Sequence, residues 1–288
     1  MNLLKFCTPL LINTFLLVMP CMAQQQAFVG IEKEIMHNRI RLMNEATIEI
    51  LKTNNFLTAP DAGIQLKNTA ASIVSISYLK PFKKKLSKPA IFKRLKQSTF
   101  VFSTGSIHGT GYVIDASGII VTNYHILASY ADSAHHQNKV MLVTDYAGKV
   151  YPVTKILSAS YINDLVIVQI NTGGDVLVPL PLGNLMEEGD DIYILGHPGE
   201  MPYYFSAGIV NRVLVRDIPN HTATEDYEMF VSAEYGSGSS GSPVVDKYCN
   251  LVATVSAASA LYGQKDNLQM VYRLTIPVIA LQQLVKMK

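Results

Sequence analysis

The feature that most limits the folds open to this chain is a train of short apolar segments, each closed by a turn signal. Ser72-Ile73-Val74-Ser75-Ile76-Ser77-Tyr78 alternates polar and apolar side chains for most of its length, which is the period of a strand with one buried face. Gly118–Val121, Val140–Thr144, Val150–Ile156, Leu165–Ile170, Ile192–Leu195, Val231–Ala233 and Leu251–Val255 are strand-like as well. Ala147-Gly148, Thr172-Gly173-Gly174 and Asp246-Lys247 separate them. Many short strands with glycine-containing turns and few helical stretches predict an all-β sandwich or barrel. At 288 residues the chain is long enough for one large domain or two small ones. Apolar residues make up 49% and charged residues 16%, which excludes a mostly disordered chain. The net charge of +2, with no dominant acidic or basic tail, argues against a nucleic-acid partner.

The two ends read differently from the middle. Met1 to Ala23 has Lys5 followed by an apolar run, and Cys21 and Ala23 stand three and one before a cut after Ala23. This pattern predicts a secretory signal peptide over residues 1–23 and an exported chain, with an uncleaved anchor as the alternative. Cleavage would remove Cys7 and Cys21 and leave Cys249 alone, so no internal disulfide is expected. Residues 24–65 form an N-terminal extension. Within it Ile31, Ile35, Ile40, Met43, Ile48 and Leu51 recur at helical spacing from Phe28 to Thr53, and Asn54 and Asn55, then Pro60-Asp61-Ala62-Gly63, end the element. This helix is a candidate dock, oligomer contact or propeptide. At the other end, Val278, Leu281, Leu284 and Val285 share one face of a C-terminal helix running to Lys288. Between residues 80 and 96 stand Lys80, Lys83, Lys84, Lys85, Lys88, Lys93, Arg94 and Lys96 without an acid, and Pro81 and Pro89 argue against a long regular element. That segment reads either as a solvated loop or as a docking surface for an anionic partner.

Three motifs carry chemistry. Thr122-Asn123-Tyr124-His125 follows a strand-like run, Asn163-Asp164 heads another, and Gly238-Ser239-Ser240-Gly241-Ser242-Pro243 precedes Val244-Val245. A serine hydroxyl is a weak nucleophile at neutral pH and needs a base within hydrogen-bond reach, for which imidazole is suited. His125 is therefore the candidate base for Ser240, and Asp164 the carboxylate that holds the ring and stabilises its cation. Gly238 would let the backbone turn so that its N–H and that of Ser240 form an oxyanion hole, and Gly241 would leave room for substrate. His197-Pro198-Gly199 reads as a turn, His135-His136 as an exposed loop pair, and no metal or cofactor motif is present.

These residues resemble the trypsin-like serine endopeptidases of the chymotrypsin fold, in particular the bacterial HtrA (Deg) and glutamyl-endopeptidase-like groups. Gly109-Thr110-Gly111, Val121–His125, Asn163-Asp164-Leu165, Leu195-Gly196-His197-Pro198-Gly199, Gly238–Pro243 and Leu274-Thr275-Ile276-Pro277 occur in the family's order. The resemblance implies two perpendicular antiparallel β-barrels, over residues 66–180 and 181–288, with the site in the cleft between them. It places the substrate-binding wall at Ser256, Ala257 and Ala258, and Glu234 at the floor of the specificity pocket. That leaves three preferences open: Lys or Arg if Glu234 lines the pocket, small aliphatic residues if it points elsewhere, or acidic residues. The chain ends shortly after Ile276-Pro277, so a following PDZ domain is not expected, and Ser239 replaces the aspartate of digestive trypsins. The implied activity is hydrolysis of proteins or peptides through an acyl-enzyme. The alternatives are a protease-fold module that binds chains without cutting, and an esterase.

Overall fold

The computed structural model describes residues 41–104, 108–132, 139–199, 201–215, 227–264 and 267–288. Residues 43–288 form one unit, to which the description below refers. Residues 1–23, read as an export signal, residues 24–40 of the extension and the His135-His136 pair lie outside the described residues.

The extension is helical over 41–53 (α1), where Ile48 and Leu51 are exposed. Helix α1 stops at Asn54, which has φ 51°, and Pro60 begins a further helix. In α2 (Ala59–Asn68) Thr58 is the N-cap, its hydroxyl accepting from the Asp61 N–H at 3.2 Å, and the proline falls in the first turn. A proline there gives up an N–H that the helix leaves unpaired anyway. The strand-like run 72–78 forms only a short β1 (Val74–Ile76). The lysine-rich segment, expected to be irregular, contains α3 (Lys88–Ser98) for the same reason as α2: Pro89 sits in its first turn. Ile91 and Leu95, one helical turn apart, are fully buried, while Lys80, Lys83, Lys84, Lys85, Lys88 and Lys93 are exposed.

Two closed barrels follow. The first takes β2 (Thr99–Ser103), β3 (His108–Asp115), β4 (Ile119–Thr122), β5 (Leu142–Thr144), β6 (Val150–Ser160) and β7 (Leu165–Ile170) in the order β2-β3-β4-β7-β6-β5, every pair antiparallel. Helix α4 (Tyr124–Ala131) leaves β4 directly. The second takes β8 (Asp191–Gly196), β9 (Tyr204–Val215), β10 (Tyr227–Val231), β11 (Pro243–Val245), β12 (Leu251–Tyr262) and β13 (Leu268–Pro277) in the order β10-β13-β12-β11-β8-β9, again antiparallel throughout. The C-terminal helix is shorter than its apolar spacing suggests. It is confined to α5 (Val278–Gln282), because the chain then forms β14 (Val285–Met287) in a parallel pair with β1. The Val74 N–H donates to the Leu284 carbonyl and the Lys288 N–H to that of Ile76, both at 2.9 Å. The first strand-like run thus pairs with the chain's last residues, outside both barrels.

Successive residues of the central strands face different cores. On β4, Ile120 points into the first barrel while Ile119 and Val121 point into the cluster between the barrels. On β7, Val166 and Val168 point inward, and Leu165 and Ile167 face the second barrel. The between-barrel cluster also takes Tyr193, Leu195, Val245, Leu251 and Ile276 from the second barrel, with Ile91 and Leu95 of α3. Burial of both faces is why these strands are continuously apolar in sequence, and it fixes their register, since a one-residue slip would exchange the two cores.

Candidate active site

The site is built where the β4–α4 junction, the β6–β7 turn and the loop before β11 meet. His125 is the second residue of α4. Asn123, the N-cap residue of α4, is fully buried and donates through Nδ2 to the Asp164 carbonyl at 2.8 Å, and the Tyr124 N–H donates to the same oxygen at 3.1 Å. Asp164 itself has φ 48°, a left-handed conformation that aspartate tolerates better than most residues. This turns its carboxylate back toward the helix. The His125 N–H donates to Asp164 Oδ1 at 3.0 Å, and His125 Nδ1 lies 2.9 Å from Oδ2 and 3.0 Å from Oδ1. The ring is held at one end by the carboxylate and is half-exposed at the other.

Ser256, the residue at the β-bulge of β12, joins the two barrels at this point. Its hydroxyl donates to Asp164 Oδ2 at 2.7 Å, and its carbonyl accepts from Ser240 Oγ at 3.3 Å. The structure therefore brings His125, Asp164 and Ser240 to one place through a residue that the motifs assign only to the substrate wall. The Ser240 hydroxyl is directed to the Ser256 carbonyl rather than to the His125 ring, and bonds of this kind often tighten only once substrate is bound.

The Ser240 loop is held from across the barrel boundary by Thr110 of β3. The Thr110 N–H donates to the Ser240 carbonyl at 2.8 Å, and Thr110 Oγ1 donates to the Gly238 carbonyl at 2.9 Å while lying 2.8 Å from His197 Nδ1. His197 is buried, with its ring edge-to-face against Tyr203 at 4.6 Å. Gly238 has φ 95°, and a Cβ there would stand 2.4 Å from the His197 carbonyl, so only glycine fits. Neither the Gly238 nor the Ser240 N–H donates to any acceptor among the described residues. Gly241 has a different role from the expected one. At φ 83° a Cβ would meet the Thr110 carbonyl at 2.0 Å and Thr122 Oγ1 at 2.4 Å, so the missing side chain admits the first barrel's backbone and not substrate.

Ala257 and Ala258 follow Ser256 along β12 with exposed side chains. Glu234 does not stand as a free carboxylate in a pocket floor. It pairs with the guanidinium of Arg273, which β13 places opposite Ala258 and which also lies over the Tyr235 ring. The Tyr235 hydroxyl donates to the carbonyls of Ala257 and Leu274 at 2.8 Å, and burial pushes its ionisation well above the ordinary tyrosine range. Cys249 is buried, with its thiol pushed up to about 12 by burial, so it is no nucleophile. Among the described residues no group of His, Cys, Asp and Glu is arranged to hold a metal ion. Sequence reasoning missed the roles of Thr110, Ser256 Oγ and Arg273. The one available signal was a polar residue between two glycines at Gly109-Thr110-Gly111.

Residues 109–253 match the trypsin-like peptidase domain family. The chain is 32% identical over 166 residues to Protease Do-like 5, chloroplastic, of Arabidopsis thaliana, which covers 55% of this chain and 51% of that protein. It is 29% identical over 210 residues to the putative Protease Do-like 3, mitochondrial, of the same plant, covering 72% of this chain and 34% of that one. It therefore spans about half the length of the first relative and about a third of the second. Among solved structures, that of Deg5 superposes with a TM-score of 0.54 at 25% identity, over 68% of this chain and 90% of the other. The HtrA-type protease AlgW, solved with a tripeptide, gives 0.54 at 20% identity over 68% and 62%, a likeness of fold.

Proposed function

The chain belongs to the trypsin-like peptidase family, and from that premise we propose that it is a serine endopeptidase working through His125, Asp164 and Ser240. The observation that carries the reading is the double engagement of Ser256, whose carbonyl takes the Ser240 hydroxyl and whose hydroxyl braces the carboxylate behind His125. In the proposed reaction His125 Nε2 takes the Ser240 proton as Oγ attacks the scissile carbonyl. The Gly238 and Ser240 N–H groups receive the negative charge that develops on oxygen. The imidazolium, held by Asp164, then protonates the leaving amine, and a water molecule hydrolyses the acyl-enzyme by the same route in reverse. The Glu234–Arg273 pair supports a preference for small uncharged residues before the scissile bond, because each charge is already met by the other and the guanidinium lies beside Ala258. Export rests on the Met1–Ala23 pattern. The solved complex of AlgW with a tripeptide supports peptides as the substrate class. The exposed lysines of residues 80–96 make no ion pair among the described residues, which supports an anionic partner there. Its binding would weaken steeply with added salt.

Labelling with a fluorophosphonate probe tests the central reading. Wild type is expected to label and Ser240→Ala not to. A folded wild type that stays unlabelled points to a binding module instead. Cleavage of a peptide library tests the specificity, and dominant cutting after Lys or Arg would overturn the assignment of small uncharged residues.

A further inference from the structure

Lys80, Lys83, Lys84, Lys85 and Lys88 are exposed on a strap, residues 77–88, that both barrels hold in place, and exposed Lys93 follows on α3. At the start of the strap the Ser77 N–H donates to Asp115 Oδ2 of β3 at 2.6 Å. In its middle the Asn250 side chain grips both polar groups of the Phe82 backbone. Its Oδ1 accepts from the Phe82 N–H at 2.7 Å and its Nδ2 donates to the Phe82 carbonyl at 3.0 Å. Near the end of the strap the Leu86 N–H donates to the Lys247 carbonyl at 3.0 Å, and Leu86 and Phe92 pack against the cluster between the barrels. These anchors distinguish the strap from a solvated loop: its charges are presented by a backbone that is already fixed. No acid occurs between Asp61 and Asp115. The acids that support the strap are engaged locally, Asp115 by Ser77 and Ser117, and Asp246 by the N–H groups of Tyr248 and Asn250 and by the Asn250 amide. Of the cations from Lys80 to Lys96, Arg94 lies over the Phe82 ring at 4.2 Å and Lys96 over that of Tyr146 at 4.1 Å. The six exposed lysines form no ion pair among the described residues.

We propose that this strap docks the chain on an anionic lipid surface. The proposal rests on the reading of residues 80–96 as a site for an anionic partner and names the class of that partner. An acidic protein is held through directional contacts to its carboxylates, for which the planar fork of arginine is suited, and lysine is depleted from protein–protein interfaces. Here the exposed cations are all lysines, and the one arginine of the segment is turned onto a ring. Lysine ammonium groups act as point charges, which suits a diffuse layer of lipid phosphates that offers no fixed geometry. Tyr78, at the start of the strap, is 57% exposed, and a tyrosine ring of this kind sits at headgroup level. The chain terminus adds Lys286 and Lys288, both exposed, beside the β1 strand that leads into the strap. The position also suits a peptidase. Strand β11 runs from the Ser240 loop to the turn 246–250 that holds the strap, so the strap lies at the other end of that strand from Ser240. A membrane met there leaves the Ser240 loop uncovered.

The test is co-sedimentation of the full chain with vesicles of phosphatidylcholine alone or with about one-third phosphatidylglycerol. Wild type is expected to bind the anionic vesicles more tightly than the neutral ones, and to lose that difference in about 0.5 M salt. Lys83→Gln, Lys84→Gln and Lys85→Gln combined are expected to weaken binding to anionic vesicles about a hundredfold, at roughly fivefold per lysine. The same variant is expected to leave binding to neutral vesicles unchanged, which separates the strap from any insertion of residues 1–23. Replacing the same three lysines by arginine is expected to preserve binding, because a diffuse surface reads charge and not shape. Both variants are expected to melt with wild type, since the three side chains are exposed. Equal binding of wild type and the glutamine variant to anionic vesicles overturns the proposal. Polyglutamate is the second probe. A chain that binds polyglutamate through these lysines but not anionic vesicles overturns the lipid assignment and leaves the anionic site standing, whereas a chain that binds neither removes both.

Discussion

The two barrels differ in how their strands end, and the difference follows the division of labour in the site. In the first barrel β3, β4 and β7 are buried along nearly their whole length. His125 and Asp164 sit at such strand ends, where Asn123 and Tyr124 hold the Asp164 backbone carbonyl and Ser256 holds its carboxylate. In the second barrel β12 is buried only from Leu251 to Ser256 and then projects with β13 as an exposed ribbon. Groups that must keep one geometry are placed at buried strand ends, and the exposed ribbon carries none of His125, Asp164 and Ser240.

The comparison can be broken at several points. Asp164→Asn strikes the fixed half directly, because the amide keeps the shape but not the charge that holds the imidazolium. Peptidase kcat is expected to fall about 10⁴-fold with folding intact, measured by steady-state hydrolysis. A loss under tenfold would show that His125 does not depend on this carboxylate. Ile120→Ala, at the centre of the first barrel's core, is expected to lower the free energy of unfolding by about 3 kcal/mol in a urea titration.

Asp115 tests the join between the first barrel and the β1–β14 pair. Burial alone would raise its carboxyl, but Ser117 donates to it through Oγ and N–H and Ser77 through N–H, which together hold it at about 2. A lowered carboxyl stabilises the fold in its charged form. The contribution, about 2 kcal/mol, is therefore complete above about pH 5 and is lost as pH falls through the range from about 4 to about 2. Urea titrations across that range are expected to show the loss in wild type and its absence in Asp115→Asn. Thr110→Val keeps the volume but removes the hydroxyl between His197 and the Gly238 carbonyl. As a positioning residue for the oxyanion donors it is expected to lower kcat about tenfold with little change in KM, since those donors act on the transition state. An equal loss in a thermal melt would make its role merely structural. The smallest effect sharpens the contrast. Met270→Ser on the 53% exposed ribbon position is expected to change stability by less than about 0.5 kcal/mol, and a cost like that of Ile120→Ala would show that the ribbon is covered in solution.

Much of the architecture is legible in the chain. The strand-like runs from Val140 to Leu195 and from Leu251 to Val255 correspond to β5–β8 and β12, because two-sided burial writes itself as continuous apolar sequence, whereas Val231–Ala233 meets β10 only at Val231. The ends were less legible. Ser72–Tyr78 has the right alternation for a barrel strand, yet its partner is the chain terminus. Pro60 and Pro89 mark helix starts where the sequence suggests stops, because a proline is read as a breaker unless the capping residue before it is given its weight. Alternation reports that a face is buried and not what buries it, so Glu234 carried no sign of Arg273, thirty-nine residues away.

What the sequence determined by itself was local: which segments are extended, and which residue types with reactive groups lie at their ends. What only the tertiary structure decided was who meets whom. Ser256 reaches Asp164 across 92 residues of chain and Thr110 reaches Gly238 across 128, and neither link leaves a periodic trace. The physical reason is that backbone geometry is set by neighbours a few residues apart, whereas a hydrogen bond between side chains is set by distance in space. That distance exists only after two barrels have closed against a shared core.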